Sequence, residues 1–199
     1  MKRQRHEVGL GSGVRRWLSA AALPALVLTL STASAAEQVP APLQVAILVK
    51  ILVYDRTIAT RSRDGLRVGV VFDPDRESST QARDEFTKAF NETPRKVGDK
   101  IILELVELSQ DKLDAEAATL DVIYVADGAD VAKVVEIAKK HRLITFASDR
   151  TAVEDGVVLG LVPRGDKPKL LINVGASVSS GMELDPSVLR LAELVRSRE

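Results

Sequence analysis

Apolar and polar positions recur along the chain with two periods, one typical of helices and one typical of buried strands. The longest apolar run outside the N-terminal region is LQVAILVKILVYDR at 43–56, which follows Pro40 and Pro42. Its length and the preceding prolines favour a buried helix, although its β-branched residues leave a strand as the alternative. The shorter run LRVGVVF at 66–72 is closed by Asp73-Pro74-Asp75, and it predicts a buried strand that ends in a turn.

The middle of the chain predicts two amphipathic helices and three further strands. Apolar side chains recur at helical spacing in 78–90, and residues 101–108 alternate well enough to form a strand. Residues 121–126 and 143–147 are short apolar strands on either side of an amphipathic helix at 129–141. This order of strand, helix and strand predicts a right-handed βαβ crossover between parallel strands.

The C-terminal part of the chain predicts a hairpin followed by a helix. Residues 157–162 and 169–173 flank the turn-forming sequence PRGDKP at 163–168. Asp185-Pro186 supplies an N-cap and a first-turn proline for a helix that runs through Leu194. The fold class is therefore α/β: a single three-layer domain on a mixed, mostly parallel sheet of about five to six strands, with flanking helices and a C-terminal β-hairpin plus helix.

The first 35 residues have the composition of an export signal. Basic residues precede an apolar stretch at 17–30, and Ala33-Ser34-Ala35 is a small-x-small sequence that a signal peptidase accepts. We expect cleavage after Ala35, which leaves residues 36–199 as an exported α/β domain. The apolar stretch is shorter than the ~20 residues needed to span a bilayer, so a retained anchor is the weaker alternative, and no membrane insertion is expected after cleavage.

Composition narrows the class of protein further. The chain has no cysteine, which excludes a disulfide, a zinc–thiolate site and a lipid anchor on an N-terminal cysteine. Residues 1–35 hold five of the 28 Lys and Arg and one of the 28 Asp and Glu, which leaves 23 basic and 27 acidic residues and a formal charge of −4. Because phosphate contacts need a basic surface, nucleic acid is not expected as a partner.

Three predicted strands end in an acidic residue. These residues are Asp73, Asp127 and Asp149, and Arg150 follows the last of them. Ligands bind outside the carboxyl ends of the strands in open α/β sheets, so these side chains could share one binding crevice, and a magnesium-dependent phosphoacceptor site would need such a cluster. The favoured alternative is structural, because Asp is common at strand ends, helix caps and turns. We expect no cofactor and no metal.

Catalysis by histidine or by an activated serine has little support in the sequence. His141 is the only histidine after residue 35, and it lies among cations at a predicted helix C-terminus, where positive charge complements the helix dipole. No serine lies in a G-x-S-x-G turn, so a Ser-His-Asp hydrolase is not expected. The arginines Arg61, Arg63, Arg150 and Arg164 are interpreted as solvated surface charges, although an arginine beside a strand end could hold an anion.

A glycine- and serine-containing segment, PKLLINVGASVSSGMEL at 168–184, raises the question of a phosphate loop. The spacing from Gly175 to Gly181 matches neither G-x-G-x-x-G nor G-x-x-x-x-G-K-[ST], and no lysine follows Gly181. A structural corner is favoured: Asn173 hydrogen-bonds nearby backbone, residues 176–180 form a short helix, and Gly181 supplies a positive φ at its C-cap.

Four stretches of the chain resemble the YfiR/HmsC-like family of exported bacterial proteins. These are VAILVKILVYDR at 45–56, VIYVADG at 122–128, LITFASD at 143–149 and KLLINVGASVSSGMELDPSVLRLAEL at 169–194. The last is the most specific, with an apolar strand ending in Asn173, then Gly175 and Gly181, then an amphipathic helix. The chain departs from the family at residues 54–57, where an aromatic-rich end is replaced, and in lacking the cysteines of better-known members.

The resemblance implies a periplasmic regulator without enzymatic activity. Its best-understood relatives restrain a membrane-bound diguanylate cyclase by binding the periplasmic domain of that protein, and a sensor kinase or transport system is an alternative target. We therefore expect contact with the periplasmic domain of a membrane protein. Ile47, Ile51 and Tyr54 of the first helix could face a second subunit, which would make a homodimer. The other hypotheses are a small-ligand binding module at the acidic strand ends and, last, an enzyme.

Overall fold

The computed structural model describes residues 38–61, 65–98 and 101–198. The expected export signal at 1–35 lies outside these residues, so its cleavage stays a prediction. Within the described ranges, no helix combines the length and the apolar character that crossing a bilayer requires.

The described residues form eight α-helices, and most of them are short. They are α1 (Ala41–Val53), α2 (Ile58–Arg61), α3 (Glu77–Glu92), α4 (Leu113–Glu116), α5 (Val131–His141), α6 (Arg150–Glu154), α7 (Val174–Ser180) and α8 (Pro186–Leu191). The first apolar run is thus a helix and not a strand. A 3₁₀ turn at Ala117–Thr119 follows α4.

Eight strands of the described chain make one mixed sheet. They are β1 (Leu66–Phe72), β2 (Lys96–Val97), β3 (Ile101–Ser109), β4 (Val122–Val125), β5 (Ile144–Ala147), β6 (Leu159–Arg164), β7 (Lys167–Asn173) and β8 (Glu193–Val195). Their order across the sheet is β2-β3-β1-β4-β5-β6-β7-β8. The five strands from β3 to β6 are parallel, the β6–β7 hairpin is antiparallel, and β8 is parallel to β7.

The central strands divide the core between two faces of the sheet. Val68 and Val70 of β1 pack on one side with α1 and α3, while Val71 packs on the other side with the buried faces of α5 and α6. All of these side chains are buried, because a parallel sheet covered by helices has no solvated face. The result is the predicted three-layer α/β domain.

Helix α1 buries one of its faces, although its sequence is apolar on most faces. Its buried side chains follow helical spacing, at Gln44, Val45, Leu48, Ile51 and Leu52. Ile51 lies in the core at 4% exposure, so it is not free to contact a second subunit, whereas Tyr54 after the helix is 39% exposed. A homodimer through this helix stays a prediction that now depends on its exposed residues.

Two strands were missed by the sequence prediction of five to six. The six predicted strands correspond to β1, β3, β4, β5, β6 and β7. The additional strands β2 and β8 contain two and three residues. Segments so short have no readable period of their own, and they become strands only because an existing sheet edge offers hydrogen bonds to them.

The C-terminal helix is also shorter than predicted. Asp185 caps α8 through the backbone N–H of Ser187 at 2.9 Å, and this hydrogen bond is the main reason that the pKa of Asp185 falls to about 2. The helix then ends at Leu191, and the prediction that it continues through Leu194 is wrong. Residues 193–195 pair with β7 instead, which buries Val195 against the sheet.

Gly160 of β6 provides a test of this packing. A Cβ at this position would clash with Val153 Cγ2 of α6 and would lie 3.6 Å from Leu171 Cβ of β7. We expect Gly160→Ala to lower the free energy of unfolding by about 1–3 kcal/mol, as overpacking does in other cores, measured by urea denaturation. Gly175→Ala is the matched control: its φ is not positive and the nearest atom to the new Cβ is Asn173 Oδ1 at 3.7 Å, so a change beyond about 1 kcal/mol would contradict the described packing.

Candidate functional site

A cavity of about 600 Å³ opens at the carboxyl ends of β4 and β5, between them and the β6–β7 hairpin. We call it the charged cavity. Its polar lining comes from Gln38, Asp127, Ser148, Asp149, Arg150, Arg164 and Glu193. Three of the four predicted site residues, Asp127, Asp149 and Arg150, therefore line one cavity.

Asp73, the fourth predicted residue, does not line this cavity. Its carboxylate accepts a hydrogen bond from the backbone N–H of Asp75 at 3.0 Å and lies 3.4 Å from Arg76 Nε. Its backbone N–H donates to Ser79 Oγ at 2.9 Å. Asp73 thus closes the turn between β1 and α3, which is the structural role that the sequence left open for it.

Glu193 of β8 organises the arginines on one wall of the charged cavity. Its Oε1 accepts from Arg150 Nη2 at 2.9 Å, and its Oε2 accepts from Arg164 Nη1 at 3.2 Å. The hydrogen bond from Arg150 is the main reason that the pKa of Glu193 lies below its usual range. The sequence prediction missed Glu193 because it placed this residue in a helix. No local pattern around Glu193 marks it as a site residue.

Two further carboxylates line the cavity, and they differ in the contacts that they make. Asp149 caps α6, where its Oδ2 accepts from the backbone N–H of Ala152 at 2.9 Å. Asp127 is exposed and has no hydrogen-bond or ion-pair partner among the described residues. Burial raises the pKa of Tyr124, and the negative charge of nearby Asp127 raises it further. Asp127 therefore presents to the cavity a carboxylate that makes no hydrogen bond or ion pair with the described residues.

A second cavity of about 600 Å³ opens at the other end of the sheet, near the amino ends of β4 and β5. Its polar lining includes Thr57, Arg61, Asp121, His141, Arg142 and Glu183, and we call it the arginine cavity. His141 lies in the last turn of α5, as predicted, and also lines this cavity. Burial raises the pKa of Asp121.

Arg61 is not the solvated surface charge that the sequence suggested. Its side chain is 17% exposed, and its guanidinium donates to the carbonyl oxygens of Arg142, at 3.0 Å, and Ser180. Burial lowers the pKa of Arg61, and the nearby positive charge of Arg142 lowers it further. Arg61 thereby joins the C-terminal ends of α5 and α7. Arg63 lies outside the described residues.

Asp55 lies beside Arg61 and connects the segment after α1 to Glu183. Its Oδ1 accepts from the backbone N–H and hydroxyl of Thr57, at 3.0 and 2.8 Å, and from the backbone N–H of Glu183 at 3.0 Å. Its Oδ2 is buried without a hydrogen-bond partner and lies 3.8 Å from Arg61 Nε. The sequence prediction did not single out Asp55, although an acidic residue directly after an apolar helix and two residues before a threonine is typical of a local side-chain turn.

Arg142, at the C-terminal end of α5, also lines the arginine cavity. It adopts a left-handed conformation with φ of 56° at the C-cap of α5, which non-glycine residues seldom do. The guanidinium groups of Arg142 and Arg61 both approach Gly181, which has a positive φ of 71° at the C-cap of α7. The two guanidiniums thus lie next to each other in a cavity that Asp121 and Glu183 also line.

The segment around Asn173 is the structural corner that the sequence favoured. Asn173 is fully buried and caps α7, where its Oδ1 accepts from the backbone N–H of Ala176 at 3.0 Å. Its Nδ2 donates to Val153 O at 2.7 Å and to Ser197 Oγ at 2.9 Å. Asn173 therefore ties β7 to α6 and to the chain after β8, while Gly175 occupies an ordinary helical position.

Metal chemistry gains no support from the geometry. In the ranges that the structure describes, no three His, Asp or Glu side chains are grouped so that they could hold an ion. The geometry offers two cavities for binding, and side chains of both signs of charge line each of them.

These features define a mixed α/β domain with a polar cavity at each end of its sheet. The chain belongs to the YfiR/HmsC-like family, whose sequence profile matches residues 41–193. The match runs from the start of α1 to the first residue of β8, and this family membership supports a periplasmic regulatory role in general terms. No match was found among curated proteins.

Three solved structures share the fold. A conserved domain protein from Vibrio cholerae O1 biovar El Tor has a TM-score of 0.61 at 17% identity, over 79% of this chain and 60% of that one. The ABC domain in complex with L-Trp from Streptococcus pneumonia has a TM-score of 0.54 at 16% identity, over 78% and 60% of the two chains. An open, ligand-free substrate-binding protein with adhesive properties from Clostridium difficile has a TM-score of 0.52 at 13% identity, over 71% and 58%.

At these identities the likeness establishes the fold alone. The chain spans about 60% of the length of the solved structures that it matches.

The contacts of Asn173 predict that its substitution lowers the free energy of unfolding. Asn173→Asp keeps the acceptor for α7 but replaces the N–H donors with a buried oxygen that faces Val153 O. We expect the free energy of unfolding to fall by about 2 kcal/mol or more, because a buried acceptor loses its donor and a charge is desolvated.

The measurement is chemical denaturation at neutral pH. Asn91→Asp, at an exposed position on α3, is the matched control and should change the free energy of unfolding by less than about 0.5 kcal/mol. Equal effects at the two positions would show that the buried contacts of Asn173 do not stabilise the fold.

Proposed function

We propose that this chain is a periplasmic regulator that acts by protein contact on a membrane-bound signalling protein of the diguanylate cyclase or sensor kinase type. The observation that carries the proposal is the match to the YfiR/HmsC-like family over residues 41–193. The export signal expected at 1–35 agrees with this location. The regulator works without catalysis of its own.

The surface of the domain offers apolar side chains for such contact. Those of Val178, Leu191 and Leu194 are 72%, 75% and 54% exposed. Single exposed apolar residues are ordinary, but these lie on the α7–α8–β8 segment that also carries the most specific family resemblance. They are the first positions to change when the contact is mapped.

Crosslinking in the cells that make the protein tests this proposal. A tagged chain should retain a membrane signalling protein with a periplasmic domain, and deletion of the gene should change the output of that protein, such as the cellular level of cyclic di-GMP. Leu191→Glu should weaken retention, whereas Ile102→Glu, at a similarly exposed position on β3, should not. Retention of no membrane protein above background, together with unchanged output on deletion, would contradict the proposal.

A second candidate function is the binding of a small ligand that sets the state of the regulator. The arginine cavity supports it, because the guanidiniums of Arg61 and Arg142 converge beside Gly181. Arg61 already donates to two backbone carbonyl oxygens, so Arg142 is the residue that would bind an anionic group. Among proteins of similar fold, one is a complex with L-Trp and another is a substrate-binding protein.

Thermal shift with a library of small carboxylates and phosphates tests ligand binding. A ligand at 100 times its Kd stabilises the folded state by about 2.7 kcal/mol, which is easily detected as a rise in Tm. We expect Arg142→Gln to abolish the shift and Arg190→Gln, an exposed position outside the cavity, to keep it. The absence of any shift across the library would count against this second function.

A further inference from the structure

We propose that the charged cavity and a groove beside it form one docking surface for an extended segment of a partner protein, in which a lysine or arginine follows or precedes an apolar residue. This inference rests on the proposed function: it adds to the exposed apolar side chains of the α7–α8–β8 segment a separate site where the contact regulator would bind an extended segment of its partner. The surface lies at the end of the sheet opposite the arginine cavity.

The groove adjoins the charged cavity directly. It has a volume of about 150 Å³, and it shares Gln38 and Pro163 with the charged cavity. Its apolar lining comes from Val39, Pro40, Leu43, Pro163 and Pro168, and we call it the proline groove. An apolar space of about this volume accepts a benzene-sized group, so one apolar side chain fits it.

The walls of the proline groove are held by the fold. Val39 is buried, and its carbonyl accepts a hydrogen bond from Gln44 Nε2 at 2.6 Å, which fixes the chain at the start of α1. Pro163 and Pro168 face each other across the β6–β7 hairpin. Proline has a fixed φ and no N–H, so these positions present rigid apolar surface and cannot donate to an added strand. Recognition at this groove therefore takes place through side chains.

The charged side chains that line the adjoining cavity favour a cationic group as its occupant. Arg150 and Arg164 both pair with Glu193, so their guanidiniums already have an anionic partner. Asp127 and Asp149 also line the cavity, and Asp127 has no partner among the described residues. The lining thus holds three carboxylates and two guanidiniums, so a cationic side chain is the complementary occupant.

An extended peptide meets both requirements at once. Residues of an extended chain advance about 3.3 Å each, so a segment of a few residues reaches from one space to the adjoining one. A free metal ion would use neither the size of the charged cavity nor the apolar groove. A small amine would use the cavity and leave the groove empty.

Selection from a phage-displayed random heptapeptide library tests the inference, with the processed chain purified from the cells that make it as the bait. We expect enrichment of sequences in which Lys or Arg lies within three residues of Leu, Val, Ile or Pro. A synthetic peptide of the enriched sequence should bind at least tenfold more weakly to Asp127→Lys and to Leu43→Asp.

Two variants serve as matched controls. Asp75→Lys reverses an exposed charge outside the cavity, and Ile102→Asp changes an exposed apolar residue on β3, so both should bind the peptide as the unaltered chain does. Far-UV circular dichroism confirms that each variant is folded.

Several outcomes would overturn the inference. These are no enrichment above an unrelated bait, an acidic consensus, equal loss of binding in the control variants, or equal affinity for n-butylamine and for the peptide, which would indicate a small-amine site. Binding of the peptide only after removal of residues preceding Gln38 would identify the chain's own leading segment as the occupant. If crosslinking retains a membrane partner while Asp127→Lys and Leu43→Asp retain it equally well, the proposed function stands and this inference fails.

Discussion

The burial of β1, β4 and β5 on both faces is the constraint on which the remaining structure depends. Parallel strands cannot be joined by tight turns, so each is followed by a crossover that covers one face of the sheet. Val68 and Val70 of β1 pack against α1 and α3, and Val71 packs against helices on the other side. Because these strands run in the same direction, their carboxyl ends lie at one end of the sheet and their amino ends at the other. One of the two cavities lies at each end.

Different contacts build the cavity walls at the two ends of the sheet, the carboxyl edge and the amino edge of its parallel strands. At the carboxyl edge, Glu193 binds Arg150 and Arg164 and brings β8 to the sheet, which forms one wall of the charged cavity. At the amino edge, Asp55 and Arg61 join the residues after α1 to the C-terminal ends of α5 and α7. The pair of Asp55 and Arg61 is buried, and breaking it is costly because the remaining charge stays desolvated. The pairs of Glu193 are exposed to solvent, so they position the arginines and contribute little to stability.

The sequence predicted correctly those elements whose apolar and polar residues show a period of their own. The prediction of β1 over 66–72 matches the strand residue for residue, and the Asn173 corner with Gly181 at its end was also identified correctly. The same reasoning failed for β8, because three residues contain no period and a run of leucines reads as a helix. It also misread Arg61, since the sequence around an arginine does not reveal whether carbonyl oxygens from distant segments will surround it.

The sequence by itself predicted the α/β class from local periodicity and from the preference for short crossovers, and it carried the resemblance to the family. It also predicted the turn at Asp73 and left open whether Asp127 and Asp149 share one crevice. Only the tertiary structure decided that these two line one cavity, that Glu193 joins them and that Asp55 and Arg61 form a buried junction. These outcomes depend on contacts between residues far apart in the chain, such as Asp55 with Glu183 and Arg150 with Glu193. Such contacts are selected by the packing of the whole domain, which no local pattern encodes.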